Sequence, residues 1–290
     1  LGAQTADQSD EKDRPVFKVN VHLVNVFVNV EDEHGAPVPG LTKDDFVLKE
    51  DGQPQKIALF ERDTALPLSI VLAIDTSGSV HKDFPVEQEA ARSFLNGLVR
   101  PIDRVDVMEF SDSVREIVPF TNSIRRIENG LSTLHGGDAT AFYNGVYLAS
   151  QALAPRSGRK ILVIISDGGN TVKGLTYQQA MEQAVRDEVM VYSIIDVPVE
   201  ASAGRDLGGE HAMITLSEQT GGRSYYADAT SLQKVFAQVS EDLRTQYLLG
   251  YYPPKGYNDT DFRKISVSMK DTKDAAKRVV HHRPGYYPSE

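Results

Sequence analysis

Apolar and polar positions divide the chain into three stretches with different periods. Residues 16–30, VFKVNVHLVNVFVNV, alternate with period two and are rich in β-branched side chains, which predicts a half-buried strand. Phe17, Val19, Val21 and Leu23 fall on one face, then the parity slips and Val24, Val26, Val28 and Val30 share the other. A bulge, or a bend between two sheets, would account for that slip. Glu31–Gly35 reads as a turn, and Thr42 with Asp45 three residues on can cap one helical turn. Asp51-Gly52, between Val47–Glu50 and Gln55–Phe60, predicts a hairpin.

From residue 66 the period changes. Leu68–Ile74 and Ile161–Ile165 are nearly continuous apolar runs, as expected of strands covered on both faces. Helical stripes run through Ala90, Ala91, Phe94, Leu95 and Leu98, through Phe142, Gly145, Val146, Ala149 and Leu153, and through Tyr177, Ala180, Met181, Ala184 and Val185. Val105–Phe110 and Val114–Phe120 are joined tightly enough to be antiparallel neighbours. Val189–Ile195 and Arg223–Tyr226 read as strands, Ala212–Glu218 as a short helix, and Leu232, Val235, Phe236, Val239 and Leu243 as the last helical stripe. Strands alternating with helices predict an α/β fold, a doubly wound, mostly parallel, Rossmann-like sheet with helices on both faces. After residue 245 the β pattern returns at Tyr247–Tyr252, Phe262–Lys270 and Arg278–His282. Either β-rich flank alone is marginal as a domain. The expected organisation is therefore a linker at 1–14, β-rich flanks at 15–65 and 246–290 that pair into one β-sandwich, and an α/β unit at 66–245 inserted between them.

Composition narrows the chemistry. The 290 residues include 41 acidic and 31 basic ones, for a formal net charge of -10, which argues against a nucleic-acid binder needing a basic face. There is no run of 18 apolar residues, so no transmembrane segment is expected. Cysteine is absent, which removes disulfides, thiolate metal sites and thiol nucleophiles together. The opening Leu1-Gly2-Ala3-Gln4-Thr5-Ala6 is similar to the end of a secretory signal, and predicts an extracytoplasmic (secreted, periplasmic or cell-surface) protein.

With thiolates gone, any metal must be held by oxygen or imidazole. In open α/β sheets ligands bind beyond the carboxyl ends of the strands. Asp75-Thr76-Ser77-Gly78-Ser79 ends one apolar strand, Ser166-Asp167-Gly168-Gly169-Asn170 ends the other, and His135–Thr140 precedes a helix between them. Parallel strands would bring all three loops to one edge. Asp75, Ser77 and Ser79 alternate, so their oxygens can converge, while Thr140 adds a hydroxyl and Asp167 a carboxylate. Hard oxygen donors of this kind suit Mg²⁺, would accept Mn²⁺, and suit Ca²⁺ less well with so few protein ligands. His135 and Asp138 lie beside the loop and either tune its rim or shape the turn.

These residues resemble the von Willebrand factor A (VWA) domain over roughly residues 66–245. That family's metal-ion-dependent adhesion site is Asp-x-Ser-x-Ser with a distant Thr and a distant Asp, matched here by Asp75, Ser77, Ser79, Thr140 and Asp167. The resemblance implies that the two serines and Thr140 are direct metal ligands and that Asp75 and Asp167 often act through water. It also implies a non-enzymatic protein-binding module whose cation takes a carboxylate from a protein partner. The stretches Pro39–Phe46, Glu50–Gln55 and Tyr247–Pro253 look like the VWFA-related proteins of Acidobacteria.

Two other readings stand beside this one. In the first, the chain is a structural envelope or assembly component whose metal site only braces loops. In the second, the strand ending in Asp75 belongs to a haloacid-dehalogenase-like phosphatase, a chemistry that needs Asp-x-Asp, whereas position 77 is Ser. No Gly-x-Ser-x-Gly elbow surrounds Ser77 or Ser79. His211 is expected at the surface, His281 and His282 are expected on opposite faces in solvent, and the Tyr225-Tyr226, Tyr251-Tyr252 and Tyr286-Tyr287 pairs are expected to pack in sheets.

Overall fold

All eight residues of Leu68–Asp75 are buried, because this strand lies at the centre of a six-stranded sheet with helices on both faces. The computed structural model describes residues 23–62, 66–78, 84–196, 206–228, 230–253, 261–270 and 275–288. Expectations for 1–22, including the strand positions Phe17, Val19 and Val21, lie outside them.

The first flank contributes β1 (Val24–Glu31), β2 (Phe46–Glu50), β3 (Gln53–Gln55) and β4 (Ile57–Arg62). The central part continues with β5 (Leu68–Asp75), α1 (Phe84–Leu98), β6 (Arg104–Phe110), β7 (Val114–Thr121), α2 (Ile124–Leu131), α3 (Phe142–Leu153) and β8 (Arg159–Ser166). It closes with α4 (Tyr177–Arg186), β9 (Met190–Asp196), α5 (Leu207–Thr220), β10 (Ser224–Ala227) and α6 (Leu232–Thr245). The last flank holds β11 (Tyr247–Tyr251), β12 (Arg263–Met269), β13 (Val279–His281) and β14 (Gly285–Tyr286).

The central sheet has the order β10-β9-β8-β5-β6-β7, parallel except for β7, which returns antiparallel along β6 as expected. Strand side chains alternate between two apolar layers. Ile70, Leu72 and Ile74 pack under α1, α2 and α6, and Val71 and Ala73 pack under α3, α4 and α5. The chain leaves β5 toward β6 on one side and returns to β8 on the other, so strand order reverses between β5 and β8.

The flanks pair with each other across the whole α/β part. β1 lies between β11 and β13, and β11 also pairs with β4, giving the order β13-β1-β11-β4. β12 lies between β2 and β14, giving β14-β12-β2-β3. Val26, Val28, Leu48, Leu249, Tyr251 and Val267, drawn from both sheets and both flanks, share one buried cluster.

Several local expectations change. The stretch expected as one strand over 55–60 is split: β3 closes the Asp51-Gly52 hairpin on β2, and β4 leaves for the other sheet. Asp51 and Gly52 both take positive φ, 48° and 79°, as a tight two-residue turn requires. α2 and β14 are additional elements, and α5 is longer than the expected Ala212–Glu218. His281 and His282 are half-buried, not solvated. His281 pairs with Glu31 at 3.3 Å, and His282 Nε2 accepts the Val267 N–H at 3.1 Å. Burial also lowers the His282 pKa.

Helix α4 starts at a capping box. The Gln179 N–H donates to Thr176 Oγ1, and the Thr176 N–H donates back to Gln179 Oε1 at 3.0 Å. Thr176→Ala is expected to cost about 1 kcal/mol, read as a lower urea midpoint with an unchanged m-value.

Candidate functional site

The site forms where strand order reverses. β5 ends in Asp75, and the next residues stay tied to the sheet, since the Thr76 N–H donates to Phe110 O at 3.0 Å. Asp75 is fully buried, with one oxygen accepting the Ser166 hydroxyl at 2.5 Å and the other the Ser77 N–H at 2.9 Å. Burial pushes the Asp75 carboxyl up to about 6; hydrogen bonds from Ser166 and Ser77 oppose the rise, and the Asp167 charge adds to it.

The second loop docks directly on the first. Ser77 and Gly137 form a parallel bridge, and the Gly137 N–H donates to Thr76 O at 3.0 Å. Asp112 holds this loop by accepting the N–H groups of Ala139 (2.9 Å) and Asp138 (3.3 Å). Thr140 is buried, and its backbone fixes it to the third loop: its N–H donates to Thr171 Oγ1 at 2.8 Å, and its carbonyl accepts the Thr171 N–H at 2.9 Å.

The third loop follows β8. Asp167 is half-buried and its Oδ1 accepts the Gly169 N–H at 2.9 Å, while the Gly168 N–H donates to Ser166 Oγ at 3.0 Å. Gly168 has φ +84°, and a Cβ there would lie 2.4 Å from the Gly209 carbonyl carbon at the start of α5. Only glycine permits that approach of two backbones. Asp206 caps α5 by accepting the Gly209 N–H at 3.0 Å.

The structure thus brings Asp75, Ser77, Thr140 and Asp167 to one edge of the sheet, on three loops bonded to each other. Ser79 lies outside the described residues. His135 and Asp138 are exposed at the rim; the His135 N–H donates to Glu109 Oε2, and Arg115 pairs with Glu109 while also reaching His135 Nδ1. His211 is exposed on α5. Sequence reasoning did not single out Ser166, Thr171 or Asp112, which hold the loops. Of these only Ser166, ending an apolar run, carried a positional signal. The oxygens gathered here are hydroxyls and carboxylates, the donor types a hard cation takes. Among the described residues no group of three or more His, Asp or Glu side chains could hold a metal, here or elsewhere.

Comparison with known proteins finds similarity in the part of the chain that forms this doubly wound sheet. Residues 70–170 match the family model of the von Willebrand factor type A domain. Integrin alpha-X of Mus musculus is 29% identical over 138 residues, which is 43% of this chain and 12% of the integrin. The von Willebrand factor type A structure from Catenulispora acidiphila superposes with a TM-score of 0.54 at 11% identity, covering 94% of this chain and 74% of that one. Proximal thread matrix protein 1 from the mussel byssus also gives 0.54, at 13% identity, covering 67% of this chain and 51% of that one. The two structures are similar in fold alone. Residues 70–170 of the central α/β part are thus similar to the VWA domain, and such domains are typically protein-interaction modules. Among the described residues no helix is long and apolar enough to cross a membrane.

Proposed function

We propose that the chain is a non-enzymatic, divalent-metal-dependent protein-binding module. The observation that carries this is the meeting of Asp75, Ser77, Thr140 and Asp167 on three mutually bonded loops at the switch point between β5 and β8. With Ser79 they form the metal-ion-dependent adhesion site, for Mg²⁺ first and Mn²⁺ or Ca²⁺ as substitutes. The donor set fits: a cation beside Asp75 and Asp167 relieves the like-charge repulsion that now helps raise Asp75. Three neutral hydroxyls leave the cation electrophilic, so it takes a carboxylate from a protein partner. Residues 66–245 are the binding domain. Residues 15–65 and 246–290 are one β-sandwich, supported by their cross-flank strand pairs and shared apolar cluster. An extracytoplasmic setting belongs to the same proposal, in keeping with matches to an integrin and a byssal thread matrix protein, as does kinship with the Acidobacterial VWFA-related proteins.

The test is thermal melting after EDTA treatment, with Mg²⁺ added back. Wild type is expected to show a saturable rise in Tm, by mass action. Asp75→Ala is expected to remain folded and show no rise; a rise equal to wild type would remove the metal assignment. Thr140→Ala is expected to weaken partner capture more than it lowers Tm. Capture that survives EDTA unchanged would instead favour the reading in which the metal only braces the loops.

A further inference from the structure

At the end of the sheet opposite Asp75, where β8 and β9 begin beside β1 and β14, lies a cavity of about 160 Å³. The charged groups on its wall are already partnered. Glu188 pairs with Arg283 at 2.8 Å, and against the effect of burial the charges of Arg283 and Lys160 hold its carboxyl below the ordinary value. Lys160 Nζ also donates to Ala154 O at 2.9 Å and Asp187 O at 3.0 Å. Arg159 is 3% exposed and donates to Leu243 O and Gln246 Oε1, both at 2.6 Å. The cavity therefore holds no charge for a ligand to answer, which selects a neutral occupant.

Size and lining narrow the class further. Phe27, Leu66, Ile161, Val185, Val189 and Met190 supply apolar wall. An apolar cavity of about 150 Å³ accommodates benzene, so the volume here suits a single six-membered ring. The Arg159 guanidinium lies 5.6 Å from the centroid of the Phe27 ring. Cations and the Met190 thioether both favour an aromatic ring over a saturated one. Asn25, half-buried on β1, lines the same cavity, and its Oδ1 is buried without a hydrogen-bond partner among the described residues. A carboxamide rotates about its Cβ–Cγ bond, so Asn25 can offer a hydroxyl either an acceptor or a donor.

We propose that this cavity binds a small neutral aromatic alcohol of phenol size. Its ring packs against Phe27, Val185 and Met190, and its hydroxyl hydrogen-bonds to the Asn25 carboxamide. Bound there, the ligand touches both the central α/β part and the flank strand β1, and stabilises their contact.

The test is calorimetry and fluorine NMR with 4-fluorophenol on the full chain in EDTA, which keeps the Asp75 site out of the readout. Saturable binding is expected for 4-fluorophenol and fluorobenzene, and none for 4-fluorobenzoate. Asn25→Ala is expected to weaken 4-fluorophenol about tenfold and to leave fluorobenzene unchanged. Val185→Phe and Leu66→Phe fill the apolar part from two sides, and each is expected to abolish binding of both ligands while the urea midpoint shows a folded chain. No binding of 4-fluorophenol, equal binding of 4-fluorobenzoate, wild-type affinity for 4-fluorophenol in Asn25→Ala, or retained binding in a folded filling variant would each overturn the proposal.

Discussion

Gly168→Ala is expected to destabilise the protein by about 2–5 kcal/mol and to abolish any magnesium-induced rise in Tm. Two costs add. The residue sits at φ +84°, where an L side chain is strained by roughly 1–2 kcal/mol. The new methyl would also lie 2.4 Å from the Gly209 carbonyl carbon and 2.5 Å from its oxygen, and backbone cannot rotate away as a side chain can. The least costly escape moves the 167–169 turn off the start of α5. That turn carries Asp167 and, through the Gly168 N–H, the Ser166 hydroxyl that hydrogen-bonds Asp75. Gly35→Ala separates the two costs, because Gly35 has φ +77° with nothing within 4 Å of a Cβ. It is expected to lose only the conformational part. Urea denaturation of both variants, with Mg²⁺ titrations, checks the argument; if Gly168→Ala proves no worse than Gly35→Ala, the crowding against Gly209 does not matter.

The contrast between β5 and the flanks says what a sequence can reveal about this fold. Leu68–Ile74 is apolar at almost every position because both faces are covered, and that local requirement is written in local residues. Which strands pair is not local. β1 meets β11 across the whole α/β part, and nothing in Val24–Glu31 names Tyr247–Tyr251 as its partner. The same limit explains β4: Gln55–Phe60 reads as one strand, yet its first residue pairs with β2 and the rest with β11. α2 escaped because it is a short helix with Arg125, Arg126, Glu128 and Asn129 on its surface, and only Ile127, Gly130 and Leu131 buried. His281 and His282 were misjudged for a related reason, since Glu31 and the Val267 N–H reach them from distant sequence. At the candidate site, the meeting of Asp75, Ser77, Thr140 and Asp167 at one sheet edge could be read from the strand ends. The groups that aim the loops could not, because Thr171 and Asp112 act on backbone N–H groups and have no spacing signature.

The second large effect is expected at Asp106, in the middle of β6, where stability should fall as pH rises. The residue is fully buried, and neither carboxylate oxygen has a hydrogen-bond partner among the described residues. Burial pushes its pKa upward, and the Glu116 carboxylate on β7 adds to the rise. An unfolded Asp titrates near 3.9, so from about pH 4 upward the unfolded chain gives up this proton while the folded chain retains it. The unfolded state then binds fewer protons, and the folded state loses about 1.4 kcal/mol of stability per pH unit until its own raised pKa is reached. Carboxylates such as Asp103, lowered by Arg100 and backbone N–H groups against the effect of burial, slope the other way, so the total curve is a mixture. Asp106→Asn isolates the term, because the amide matches the protonated acid in shape and never ionises. Its stability relative to wild type is expected to be near zero at pH 4 and to grow by about 1.4 kcal/mol per unit through neutral pH. Urea midpoints of both proteins between pH 4 and 8 measure that difference directly. A difference flat in pH would mean that Asp106 is ionised in the fold, with a counter-charge or water stabilising it inside the sheet.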